Sequence, residues 1–106
     1  MTKLNFLNKE SEAFKAVRKI VNKYDPLGIL SANADIEEDD EYDSEVVEII
    51  NRCWYLDEDK TELAYKAIKS VFEYWFWDGC CKGAELMDVA VEIVDVLKRL
   101  RRELIK

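Results

Sequence analysis

Apolar and polar positions alternate along this chain so as to mark out four segments with the period of an amphipathic helix. From about Asn8 to Tyr24, the residues Phe14, Val17, Ile20, Val21 and Tyr24 share one stripe, while Lys9, Glu12, Lys15, Arg18, Lys19 and Lys23 lie mostly elsewhere. This first helix is expected to stop at Asp25. Pro26 disfavours helical geometry in the residue before it and donates no backbone hydrogen bond, and Leu27-Gly28 then suits a turn. No helical period survives between Ile29 and Tyr42, which predicts a loop. Val46, Val47, Ile49, Ile50, Cys53 and Trp54 resume the spacing of a buried face. Helix two is therefore expected over about Ser44 to Tyr55, with Asp43 or Ser44 capping its first amide groups.

Asp59 stands three residues before Glu62, close to a capping box, and predicts the start of helix three. Its apolar stripe reads Leu63, Ala64, Ala67, Ile68, Val71, Phe72 and Trp75, and Asp78-Gly79 is expected to end it. From about Ala84, Leu86, Ala90, Ile93, Leu97, Leu100 and Leu104 recur at steps of three and four, widened by Val89, Val94 and Val96. Four helices with short connections, one acidic loop excepted, predict an all-α fold. The expected architecture is a four-helix antiparallel bundle, or a related compact helical domain, with residues 1–106 forming a single domain and the acidic loop joining helices one and two.

Composition agrees with a folded helical chain, since 49% of residues are hydrophobic, 37% are charged and only four are Gly or Pro. The three cysteines, Cys53, Cys80 and Cys81, are odd in number and show no CxxC spacing, which points to reduced structural thiols. A redox pair at Cys80-Cys81 is the alternative, but only Lys82 offers a neighbouring cation to activate it. Met1 to Leu7 carry no apolar run suited to a secretory signal, and nowhere do about 18 apolar residues follow one another. A cytoplasmic location without membrane attachment is the expectation.

The chain contains no histidine, the side chain whose ordinary pKa best serves acid–base work near neutrality. Nor does it contain a GxSxG elbow, a glycine-rich phosphate loop or HExxH, so a non-catalytic protein without a cofactor is expected. The acidic loop does not fit an EF-hand in either candidate register. Starting at Asn33 puts Glu38 where the sharp turn needs Gly; starting at Asp35 puts Asp40 there and Val46 where the bidentate Glu belongs. No metal site is expected.

Charge is distributed unevenly, and this changes the picture most. Between Tyr24 and Asn51 there are ten acids and neither Lys nor Arg, so the sixteen basic residues elsewhere outnumber the remaining thirteen acids by three. The net charge of −7 is thus a local field that repels nucleic acid and membrane surfaces and steers a basic protein partner. The plainer alternative is a solvated loop that keeps the domain soluble. The candidate contact residues in this stretch are Asp35, Glu37, Glu38, Asp39, Asp40, Glu41, Asp43 and Glu45, with Tyr42 and Trp54 as aromatic anchors beside them.

A second candidate is Tyr74-Trp75-Phe76-Trp77, because four successive helical residues cannot all face one core. With Phe72 and Trp75 turned inward, Tyr74 and Trp77 fall toward the flank of Lys66, Ser70 and Glu73 and become candidate interface anchors. The alternative is that the loop through Gly79 and Gly83, or the amino-terminal segment, covers them. Lys98, Arg99, Arg101, Arg102 and Lys106 suit the negative end of a helix dipole and the acidic loop as an ion-pair partner.

Two segments, Tyr24-Asp25-Pro26-Leu27-Gly28-Ile29-Leu30 and Asp40-Glu41-Tyr42-Asp43-Ser44-Glu45-Val46, together resemble the YugE-like family of small bacterial helical proteins. In that family a WDPxGL-like turn after helix one is followed by a DEYD-like segment entering helix two. The resemblance covers about a third of the chain, with Tyr24 at the family's usual Trp and no proline ahead of the DEYD segment. It implies a turn capped by Asp25 with Tyr42 packed beneath it. It also implies, as one option, an immunity protein that neutralises a cognate bacterial toxin, the basic cleft of a nuclease being a natural target for an acidic surface. A non-catalytic homo-oligomeric structural or regulatory domain, such as a homodimer, is the alternative.

Overall fold

The computed structural model describes residues 12–30, 33, 35–36, 38–77 and 83–105, with the backbone alone for 83–85, 104 and 105. Four α-helices form an all-α bundle: α1 (Glu12–Tyr24), α2 (Asp43–Cys53), α3 (Thr61–Trp75) and α4 (Gly83–Ile105), with a short 3-10 turn at Glu58–Lys60. The expected extension of helix one back to Asn8 and the Cys80-Cys81 pair lie outside the described residues, whereas α3 ends at Trp75, ahead of the expected Asp78-Gly79. α1 packs on α2 and α4, α3 packs on the same two helices, and α2 touches α4 across the centre. Among the described residues α1 and α3 do not meet, so they occupy opposite corners. α4 runs back along α3, which brings Lys98 Nζ to Glu58 Oε2 at 2.6 Å and Arg101 Nη2 to Asp57 Oδ1 at 2.6 Å, both just ahead of α3.

The helix stripes meet in one core. Phe14, Val17 and Val21 of α1, Val46, Ile49, Ile50 and Cys53 of α2, Ile68, Val71 and Phe72 of α3, and Leu86, Ile93 and Leu97 of α4 are all fully buried. Phe72 sits near its middle: the Tyr42 ring meets it edge-on at 5.8 Å, and Phe76 stacks on it at 6.3 Å. Truncating such a residue to Ala costs about 3–5 kcal/mol.

Helix one ends as its sequence dictates. Asp25 takes a left-handed conformation with φ of 43°, its amide still donating to the Val21 carbonyl at 2.8 Å, and Gly28 follows at φ of 65°. An acidic residue tolerates this region because its short polar side chain bonds locally.

Other expectations are corrected. Leu63 is half exposed, because it lies about 100° around α3 from Ala64 and away from the inward line of Ala64, Ile68, Val71 and Phe72. Trp75 is 45% exposed because α3 ends there; the chain turns, and Phe76 occupies the place over Phe72 instead. Neither Asp59 nor Asp43 nor Ser44 caps a helix. The 3-10 turn supplies the entry to α3 through Lys60 N–H to Asp57 O at 2.8 Å, and Tyr42 holds the N-cap position of α2 without a side-chain bond. The basic end of α4 pairs with the α2–α3 connection rather than with the acidic loop, since Lys98 and Arg101 reach Glu58 and Asp57.

Candidate functional site

The acidic loop is held onto the bundle from below by two side chains of α1. Asn22, almost wholly buried, donates through Nδ2 to the carbonyl oxygens of Ile36 at 3.0 Å and Asp39 at 2.9 Å. Within the loop, the amides of Glu38 and Asp39 donate to Asp35 O at 3.0 and 2.8 Å, and Asp39 Oδ1 accepts from the Glu41 amide at 3.1 Å. Four residues back along α1, Arg18 grips Asp43 in a two-pronged pair, Nε to Oδ1 at 2.9 Å and Nη2 to Oδ2 at 2.5 Å. The Asp43 hydrogen bond raises the Arg18 pKa further above its already high value. Arg18 also lies over the Phe14 ring, 5.1 Å from its centre.

This frame divides the predicted acids into two groups. Asp35, Glu38, Asp40 and Glu41 are exposed, and Asp39 is half-buried. Asp39, Asp40 and Glu41 each bring a carboxylate oxygen within 4.8 Å of the others, which concentrates the field at the tip of the loop. Asp43 and Glu45 are buried instead. Asp43 is consumed by Arg18, and Glu45 lies on the inner side of α2, where burial pushes its carboxyl pKa up, helped by the nearby charges of Asp43 and Glu48. Glu37 lies outside the described residues.

The aromatic candidates divide in the same way. Tyr42 has no exposed surface, and its hydroxyl donates to Asp25 Oδ1 at 2.6 Å while accepting from the Leu27 amide at 3.1 Å. Asp25 Oδ1 also accepts from the Ile29 amide at 3.0 Å, so the capped turn with Tyr42 beneath it is present. Trp54 is buried at the end of α2, where its carbonyl accepts from Arg101 Nη1 at 2.6 Å. Neither ring is available as an anchor. Their neighbours in an acidic or polar run suggested a surface, but both sit where a helix begins or ends and the chain folds its large ring under the turn.

Tyr74 and Trp77 are exposed, at 77% and 61% of their full surface. Tyr74, Lys66, Lys69, Ser70 and Glu73 border an open depression of about 400 Å³ on the outer side of α3, with Lys69 and Glu73 paired at 3.7 Å. Leu63 joins this side of the molecule, and its angular position close to Ser70 is the signal that places it there, whereas Trp75 keeps the inward angle of α3 and is exposed because the helix ends there. The exposed acids and the exposed aromatics thus form two separate surfaces, the first over α1 and the second on α3 at the opposite corner.

The chain matches no family model, no curated protein and no solved structure. Among the described residues no helix is long and apolar enough to cross a membrane.

Proposed function

We propose that this chain is a non-catalytic binding protein that captures a basic protein surface with its acidic loop, and that the partner is a bacterial toxin domain, which it neutralises in the cytoplasm. One observation carries the reading: Asp35, Glu38, Asp40 and Glu41 point outward from a loop whose backbone is already fastened by Asn22. A charged surface ordered before binding loses little conformational freedom on association, and its field accelerates encounter with a cationic partner. The toxin as partner follows from the resemblance of the Tyr24–Leu30 and Asp40–Val46 segments to YugE-like proteins. A nuclease-like domain suits it, because a cleft built for phosphates presents the lysines and arginines this loop attracts.

The test is capture of the product of the neighbouring gene, at low and high salt, by the wild type and by a variant carrying Asp35→Asn, Glu38→Gln, Asp40→Asn and Glu41→Gln. The reading expects one basic protein, retained at low salt, weakened at high salt and lost by the variant. Equal capture by both forms removes the acidic loop as the binding surface.

A further inference from the structure

A line of contacts crosses the end of the bundle where α1 and α3 finish and α2 begins. On one side the Ile29 amide donates to Asp25 Oδ1 at 3.0 Å, and the Tyr42 hydroxyl donates to the same oxygen at 2.6 Å. The Tyr42 ring then meets Phe72 edge-on at 5.8 Å, Phe76 stacks on Phe72 at 6.3 Å, and the Trp77 ring meets Phe76 edge-on at 6.4 Å. Tyr42 and Phe72, in the middle of the line, are fully buried, while its two ends emerge: Ile29 is 42% exposed and Trp77 is 61% exposed. The acids join the line at its centre. Exposed Glu41 directly precedes Tyr42, and its carboxylate lies within 4.8 Å of those of Asp39 and Asp40. The acidic loop and Trp77 thus stand at different corners but at one end of the molecule.

We propose that one basic protein partner lies across this end of the bundle, seating Ile29 and Trp77 in apolar recesses while its lysines and arginines face the acids of the loop. The inference rests on the acidic-surface reading above and adds to it the groups that hold the partner. Complementary charge speeds encounter and rejects wrong partners more than it prolongs a complex, whereas most of the affinity of an interface comes from a few large groups that become fully buried. The loop offers no such group of its own, because Tyr42 is already buried. Ile29 and Trp77 flank it and supply two. A specific interface takes about 800 Å² from each side, a patch roughly 30 Å across, which covers a line of this length. Both anchors are tied to a buried centre, so little freedom is lost when they are covered. Tyr55, although 80% exposed, follows the far end of α2 and falls outside the patch.

Binding kinetics of the full chain with the neighbouring-gene product test the proposal. Ile29→Ser and Trp77→Ser should each speed dissociation by roughly tenfold or more, and leave the association rate and its salt dependence at the wild-type values. The variant of the four exposed acids should chiefly slow association. Tyr55→Ser should match the wild type. Wild-type dissociation in either anchor variant, or equally fast dissociation in Tyr55→Ser, overturns the inference and leaves the acidic-surface reading standing if binding still weakens with salt and with loss of the four acids. Capture of no basic protein, or equal capture by the wild type and the acid variant, removes that reading and this inference with it. Should an anchor variant lose its helical circular dichroism, hydroxyl-radical footprinting of the wild-type complex decides. Ile29 and Trp77 should both be protected by the partner and Tyr55 should not, and unchanged labelling of Ile29 or Trp77 overturns the shared face.

Discussion

The Tyr42 hydroxyl donates to Asp25 Oδ1 at 2.6 Å and so ties the far end of the acidic loop to the turn that begins it. Asp25 holds that turn from the other side by accepting the Ile29 amide, and Tyr42 accepts the Leu27 amide. The hydroxyl is thus the closing link of a ring of bonds around Pro26-Leu27-Gly28. Tyr42→Phe keeps the edge contact with Phe72 but deprives a part-buried amide of its acceptor and Asp25 Oδ1 of one of its donors, at a cost of about 1–2 kcal/mol. Urea unfolding should show a lower midpoint with an unchanged slope. An unchanged midpoint means the ring of bonds contributes nothing to stability.

Arg18 and Asp43 are both mostly screened from solvent, so removing one strands the other's charge. Arg18→Met should destabilise the fold by roughly 2–4 kcal/mol, while adding Asp43→Asn to it should recover part of the loss. A double-mutant cycle with no coupling contradicts this.

Glu45 makes stability depend on pH in a direction opposite to that of a paired surface acid. Its folded pKa lies above the ordinary 4.5 because burial penalises the charged form. The penalty is absent while the group is protonated in both states, and stability falls as pH rises from about the unfolded pKa to the raised folded one. Glu45→Gln should therefore be more stable than the wild type at pH 7, with the difference vanishing under acid conditions. Glu92 works the other way: hydrogen bonds from Lys23 and then Tyr24 lower its pKa, so its contribution is present at neutral pH and disappears as pH falls. Unfolding midpoints of Glu45→Gln and the wild type across this range distinguish the two behaviours.

Burial pushes the Cys53 thiol up to about 12, which leaves almost no thiolate at neutral pH. Peptide-resolved alkylation should leave Cys53 unmodified in the native protein and modify it fully in denaturant. Native labelling at the rate of a free thiol places Cys53 elsewhere than the core.

Much of this architecture is legible in the chain because the local signals agree with one another. Pro26 and Gly28 stop α1 where the apolar stripe also ends, and the spacings in α2 and α4 find their core partners. What the pattern cannot convey is which polar groups the fold consumes. Asp43 and Glu45 look like members of an acidic run, yet Arg18, a turn and a half before the helix end, claims one, and the pitch of α2 turns the other inward. Tyr42 stands at a helix boundary, where periodicity gives no direction, while Trp54 keeps the spacing of the buried face of α2, and the structure buries both. Trp75 keeps the inward angle but lies past the end of the layer that would cover it, an effect of helix length that a stripe does not encode.

The most direct measurement of the central claim is the association rate between this chain and the proposed toxin-domain partner as a function of ionic strength, for the wild type and the variant of Asp35, Glu38, Asp40 and Glu41. Steering by the loop predicts a rate that falls steeply as salt rises in the wild type, and a slower, nearly salt-independent rate in the variant. Identical rates and identical salt dependence for the two forms would contradict the account, leaving the acids as solvated charge and binding to another surface.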